Sequence, residues 1–110
     1  MSSFPKRGEI YWIKLDPTVG SEIQKTRPAV VISNDSQNKI SQRIIIAPIT
    51  SSVKSIFPFE VRITINDKDC KILLDQIRAI DKIRIAAFIS ELNNATMNKV
   101  NNAIKIALSL

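Results

Sequence analysis

Ser21-Glu22-Ile23-Gln24-Lys25-Thr26-Arg27-Pro28-Ala29-Val30-Val31-Ile32-Ser33 is the stretch from which the chain reads outward. Its first half is polar and charged. Its second half is an apolar run rich in β-branched residues, the pattern of a buried strand. Arg27 stands at the join, directly before Pro28. Proline drives its predecessor out of the helical region into extended geometry. Lacking an N–H, it is best tolerated at the first position of a strand. The expected strand therefore runs from Pro28 to Ser33, with Arg27 on stiff backbone at its mouth. Beside it lies a polar loop, Thr18 to Thr26, hinged at Gly20. A cation fixed there can meet a ligand in one pose.

The flanking sequence supplies strands on both sides. Gly8 to Leu15 is enriched in β-branched and aromatic residues and reads as the first strand. Asp16-Pro17 ends it. Asn34 to Asn38 reads as a turn or a short helical turn. Arg43 to Thr50 is apolar throughout, as a central strand should be, and Pro48 inside it signals a bulge or strand end. Ser51 to Ile56 is a second polar loop. Phe59, Val61, Ile63 and Ile65 alternate with Glu60, Arg62 and Thr64, a strand with one wet face. Asn66 to Asp69 is a hairpin turn without the glycine of the tightest hairpins. Cys70 to Leu74 returns, Asp75 to Asp81 alternates as a further strand, and Ile85 to Ile89 forms a short last one.

The period then changes. Asn94 can cap a helix, after which Met97, Val100, Ile104, Ala107 and Leu108 recur at helical spacing. About six strands followed by one helix predict an α+β fold, mainly β: a small barrel of antiparallel strands with a C-terminal helix.

The 110 residues make a single domain, 1–110, with residues 1–6 as a flexible tail. A chain of this length buries roughly two-thirds of its unfolded surface, enough for one core. At 45% hydrophobic and 24% charged, the composition excludes intrinsic disorder. There is no membrane span of about 18 apolar residues and no apolar signal core near Met1, so a cytoplasmic location is expected. The net charge of +6 fits a polyanionic partner such as nucleic acid, or an acidic protein.

The absences narrow the chemistry. With no histidine, the usual acid–base residue near neutral pH and most zinc sites are removed. The two glycines, Gly8 and Gly20, make no phosphate loop. The single Cys70 forms no internal disulfide and no metal pattern. Asp67 and Asp69 are better read as turn residues than as metal ligands. No cofactor is expected.

What remains is a set of polar residues at strand ends. If the second and third strands pair antiparallel, the start of one lies beside the end of the other. Arg27 and Thr50 then meet at one sheet edge, under the loops Ser21 to Thr26 and Ser51 to Ile56. Asp75-Gln76 can offer an amide to the same groove. Taken singly, each of these residues is better read as an ordinary surface or turn residue; only their joint placement points to a site.

At these positions the sequence resembles the MazF/PemK family of toxin endoribonucleases. The matching pieces are Gly8-Glu9-Ile10-Tyr11-Trp12, Gly20-Ser21-Glu22 leading to Lys25-Thr26-Arg27-Pro28, and the apolar strand into Pro48-Ile49-Thr50-Ser51. Leu74-Asp75-Gln76-Ile77-Arg78 and Ile80-Asp81-Lys82-Ile83-Arg84 follow. The resemblance covers about residues 8 to 108. It implies an SH3-like barrel, a homodimer, and metal-independent cleavage of single-stranded RNA by ribose 2′-hydroxyl attack. The products would be a cyclic phosphate and a 5′-hydroxyl end. The family's essential arginine falls on Arg27 and its threonine on Thr50. Ser21, Glu22, Lys25, Thr26, Ser51, Ser52 and Gln76 around them are expected to contact RNA. The resemblance also implies an acidic antitoxin that occupies the RNA groove.

Two departures stand out. Ile23-Gln24-Lys25-Thr26 replaces the glycines of other members, so the loop should be stiffer. Phe59-Glu60 replaces a Thr-Arg pair, and a carboxylate there is expected to repel phosphate. Without histidine, the proton falls to Glu22, to Arg27 or to water. Trp12 is expected in the core or a dimer interface rather than under a base. Two other readings fit the same barrel: a non-enzymatic poison of DNA gyrase, by fold analogy, and a plain nucleic-acid-binding module that uses the positive charge.

Overall fold

The computed structural model describes residues 4–14 and 26–110. Within them, seven strands and two helices follow in the order β1 (Glu9–Lys14), β2 (Thr26–Val31), α1 (Asp35–Ile40), β3 (Arg43–Thr50), β4 (Glu60–Ile65), β5 (Lys68–Leu73), β6 (Arg78–Asp81), β7 (Ile85–Glu91) and α2 (Asn94–Leu108). All pairings are antiparallel. The sheet order is β4-β5-β3-β2-β1-β7, with β6 on β3. The sheet curls into a half-barrel against the C-terminal helix, the mainly β architecture that the residue pattern predicts.

β1, β2 and β3 are apolar on both faces because each face is buried. Ile10, Val30, Ala47, Ile49, Ile72 and Leu74 form the main core with Val100 and Ala103 of α2. The alternate residues Ile13, Ala29, Val31, Ile44, Ile46 and Ile80 form a second cluster. Two buried faces leave no place for the polar alternation seen in β4.

β3 is central, and its far edge changes partner. Arg43 to Ile46 pair with Asp81 to Arg78 of β6, whereas Ile49 and Thr50 pair with Ile72 and Lys71 of β5. Pro48 falls between these two ladders, where its missing N–H interrupts neither, although it still pairs with Ala29 of β2. The proline thus marks a change of partner inside the strand.

Several boundaries differ from the sequence-based expectations. β2 begins at Thr26, two residues before Pro28. The turn after it is a helix of six residues, capped by Asn34 Oδ1, which accepts from Gln37 N–H at 2.8 Å. Inside it Asn38 is fully buried and donates to the Ser33 carbonyl at 2.8 Å, while Ser33 Oγ accepts from Ile45 N–H at 3.0 Å. This network ties the β2–β3 connection to the sheet. Asp75 to Asp81 is not one strand: Leu74–Gln76 is a 3₁₀ turn, and β6 starts at Arg78. Leu74 is fully buried against the core, which pins the chain there and breaks the strand.

The hairpin closes on two residues, Asn66 (φ 49°) and Asp67 (φ 65°). Both sit in the left-handed region, which Asn and Asp tolerate better than other non-glycine residues. The α2 cap is Asn93 rather than Asn94; its side chain accepts from Thr96 N–H at 2.8 Å. Val100 and Ala103 carry the buried face, Met97 and Ile104 flank it, and Leu108 is half exposed. Of the expected N-terminal tail, Lys6 N–H donates to Glu9 Oε1 and the Lys6 carbonyl accepts from Glu9 N–H. Among the described residues, no helix is long and apolar enough to cross a membrane.

Ile72 is fully buried and bridges Ile49 of β3 and Val61 of β4. Ile72→Ala is expected to cost about 2–5 kcal/mol, measured by denaturant unfolding; a loss under about 0.5 kcal/mol would mean that these strands do not share one packed core.

Candidate functional site

Antiparallel register decides what sits beside Arg27. Ala29 pairs with Pro48, and Val30 with Ala47. Carried two residues further, that register sets Arg27 opposite Thr50. The β2–β3 ladder ends at Ala29 and Pro48, short of this point, and on its other edge Thr50 pairs with Lys71 of β5. A cavity of about 320 Å³ lies there. Trp12, Pro28, Ile49, Ile65, Cys70 and Ile89 make its apolar wall; Arg27, Thr50, Ser51, Asn66 and Lys68 supply its polar groups.

Arg27 is exposed, and among the described residues its guanidinium has no hydrogen bond or ion pair. On the other side of β2's start, Ile13 of β1 is its register partner. Its five donors, without a partner among the described residues, suit a planar anion. Thr50 Oγ1 accepts from Ser52 N–H at 3.2 Å. One lone pair is thereby occupied, and the hydroxyl proton stays available for an acceptor in the cavity. This local turn, in which a threonine hydroxyl holds the backbone two residues on, also fixes the start of the 51–59 loop.

Of the residues expected at the site, Arg27, Thr50 and Ser51 share the cavity, and Ser52 braces Thr50. Thr26 is exposed at the start of β2, paired with Lys14. Gln76 lies elsewhere: it is exposed in the 3₁₀ turn where the chain crosses from β5 to β6, along β3's far edge. Its amide does not line the cavity. Ser21, Glu22 and Lys25 lie outside the described residues. Among the described residues, no three of His, Cys, Asp and Glu gather as a metal site would require.

Residue reading missed several lining groups. Trp12 is 43% exposed and forms a wall of the cavity rather than core. It pairs with Pro28 near the end of β1, past the point where the core face is covered. Lys68, Asn66 and Cys70 arrive from the β4–β5 hairpin, whose distance in sequence gave no signal of approach.

Glu60 also differs from expectation. Its side chain is only 6% exposed and pairs with Lys71 Nζ at 3.0 Å, and Phe57 N–H donates to the same oxygen at 3.0 Å. Burial pushes its carboxyl up, but the Phe57 N–H and the Lys71 ammonium together outweigh burial and hold it below its ordinary value. A neutralised, inward-turned carboxylate presents little repulsion to a phosphate.

Register also aligns Thr50, Lys71 and Arg62, since Lys71 pairs with both of the others across β3, β5 and β4. Directly paired residues share a face of the sheet. Thr50, Lys71 and Arg62 thus form a row across one face, although Arg62 is bonded to Asp69 at 2.7 Å.

Fold and site define a small half-barrel of antiparallel strands, sealed by a C-terminal helix, with an exposed arginine and a threonine hydroxyl at the mouth of an apolar cavity. Residues 6–108 match the model of the PemK-like, MazF-like toxins of type II toxin–antitoxin systems, and the chain belongs to that family. It is 43% identical over 110 residues to endoribonuclease MazF of Staphylococcus saprophyticus, covering 96% of this chain and 92% of the relative. It is 42% identical over 110 residues to endoribonuclease EndoA of Bacillus subtilis, covering 96% and 95%. Among solved structures, an endoribonuclease in complex with its cognate antitoxin from Mycobacterial species superposes with a TM-score of 0.80 at 25% identity, over 96% of each chain.

The Glu60 carboxyl has a folded value below its ordinary 4.5. Its contribution to stability is therefore present at neutral pH and is lost as pH falls through the folded value. Glu60→Gln should melt below the wild type at pH 7, and the gap should narrow as pH falls from about 5 to about 3. Melting temperatures across that range check it; a gap independent of pH would show that the pair's charge is not what stabilises this corner.

Proposed function

We propose that this chain is the toxin of a toxin–antitoxin pair, an endoribonuclease that cuts single-stranded RNA at selected sequences without a metal ion. The observation that carries the reading is that Arg27 and Thr50 line one cavity just past the end of the β2–β3 ladder. The names of the two curated relatives support the same activity, and the solved antitoxin complex supports an antitoxin partner.

RNA carries its own nucleophile. The ribose 2′-oxygen attacks the adjacent phosphorus, the 2′-O–P bond forms and the P–5′-O bond breaks. A 2′,3′-cyclic phosphate and a 5′-hydroxyl result. The protein has to hold the 2′-oxygen in line and stabilise the charge that builds on the phosphate. The Arg27 fork suits the non-bridging oxygens. The Thr50 hydroxyl, oriented by Ser52, donates to the same phosphate. The 2′-proton leaves to Glu22, to Arg27 or to water, and the departing 5′-oxygen takes one up. Ser51, Ser52, Lys25, Thr26, Ser21 and Gln76 contact the flanking RNA in this reading.

The enzyme acts as a cytoplasmic homodimer, neutralised by an acidic antitoxin. The apolar side chains left exposed on the single chain, Phe88 on β7 and Leu108 and Leu110 at the end of α2, are surface that a second copy can cover.

Purified protein incubated with a long single-stranded RNA in excess EDTA is expected to give discrete fragments ending in cyclic phosphates. Arg27→Ala and Thr50→Ala should each lower the cleavage rate about a hundred- to a thousandfold. The melting temperature should hold for Arg27→Ala, since that side chain is exposed. Cleavage at wild-type rate in either variant would remove that residue from the chemistry, and loss of cleavage in EDTA would overturn metal independence.

A further inference from the structure

Beside the Thr50 strand end lies an aromatic pair that the cleavage chemistry does not use. The Phe57 and Phe59 rings stack with centroids 5.4 Å apart and planes 5° from parallel. Phe59 is partly buried just before β4, yet Phe57 is 52% exposed. Exposed as it is, Phe57 is tied down on several sides. Its N–H donates to Glu60 Oε1 at 3.0 Å, and its carbonyl accepts from Glu60 N–H at 2.9 Å. Lys71 Nζ lies 5.9 Å from the ring centroid, and it also donates to the Ser55 carbonyl at 2.7 Å and to Glu60 at 3.0 Å.

Lys71 connects this corner to the cleavage site. It is the register partner of Thr50 on the neighbouring strand, about one strand spacing (~4.8 Å) away. The loop that carries Phe57 starts at Ser51, on the cavity, and Lys71 clamps its far end. The ring is therefore held at a set distance from the phosphate position at Arg27 and Thr50.

We propose that Phe57 is a stacking platform for one unpaired base of the bound RNA, preordered by Phe59 and the Lys71–Glu60 pair, and that it helps to set which sequence is cut. The inference rests on the endoribonuclease reading. The chemistry of the corner favours a base over the other polyanionic occupant, an acidic segment of an antitoxin. The Lys71 charge is already answered by Glu60, so the cation that supports the Phe57 ring is not free for an acidic ligand. An acidic peptide gains little there, whereas a nucleobase gains its stacking energy without desolvating a free charge. A ring already fixed in place also loses little entropy on binding. Glu60 and Lys71 are positioning residues in this arrangement and touch no reacting atom.

The test uses the full-length protein and a short RNA spanning a cut site mapped on a longer RNA, together with versions carrying one abasic nucleotide at each position near the cut. In wild type, one abasic position distinct from the cleaved step should lower kcat/KM about ten- to a hundredfold. In Phe57→Ala that penalty should vanish, with cutting of the intact RNA lowered by a similar factor. Phe57→Tyr should restore both. If Phe57→Ala, folded by its melting temperature, keeps wild-type kcat/KM and the same penalty at every abasic position, the platform is overturned while the endoribonuclease stands. If it keeps RNA cleavage but loses affinity for the acidic antitoxin, the ring belongs to that partner and the platform is again overturned. If wild type cuts no RNA at all, both readings fall.

Discussion

Along its far edge, β3 has to serve two strands in succession, and the rest of the structure depends on how it does so. β6 takes Arg43 to Ile46 and β5 takes Ile49 and Thr50, with Pro48 between. On the other edge β3 pairs with β2 only as far as Pro48 and Ala29, and Arg27 and Thr50 lie beyond that last pair. They stand at the mouth of a cavity whose apolar wall is the uncovered end of the main core. Proline is the residue that can sit at such a point without leaving a donor unpaired on the far edge.

The same geometry explains how a chain without histidine can be set up for phosphate chemistry. Arg27 has extended backbone before a proline and makes no bond among the described residues that would have to be broken for a ligand. Thr50 has one lone pair fixed by its own turn, which aims the remaining donor. Donors held in place before the reaction need no reorganisation as charge develops, and that is where electrostatic stabilisation is most effective. The weight therefore rests on positioning by the sheet rather than on a group that titrates near neutral pH.

Much of the fold is legible in the residues. The apolar runs of β2 and β3, the alternation of β4 and the helical spacing of α2 each follow from burial of one or two faces, and the strand order follows from short antiparallel connections. The meeting of Arg27 and Thr50 at one cavity is also legible, since it needs only that consecutive strands be neighbours. What sequence could not give depends on contacts distant along the chain. The 3₁₀ turn at Leu74–Gln76 exists because Leu74 must reach the core, and that carries Gln76 away from the mouth. Trp12 lies on the core face of β1 but beyond the core's end, a matter of where α2 and the hairpin stop covering the sheet. Glu60 read as a repelling carboxylate because Lys71, eleven residues on, is brought to it only by the β4–β5 pairing.

That last contact bears on how the net charge of +6 should be understood. A formal charge counts every cation alike, but the structure does not present them alike. Arg7 bridges the Ile32 carbonyl and Asn101, Arg84 holds the Lys14 carbonyl, Lys71 answers Glu60 and Arg62 answers Asp69. Arg27 and Lys68, by contrast, make no ion pair among the described residues, and both lie at the cavity. A polyanion drawn in by the general positive field thus meets at the cavity two cations that no ion pair among the described residues engages. Lys71 and Arg62 shape the neighbouring surface without competing for the phosphate. The attraction that brings a partner near and the contacts that hold one phosphate in place are carried by different cations, and the sheet register decides which are which.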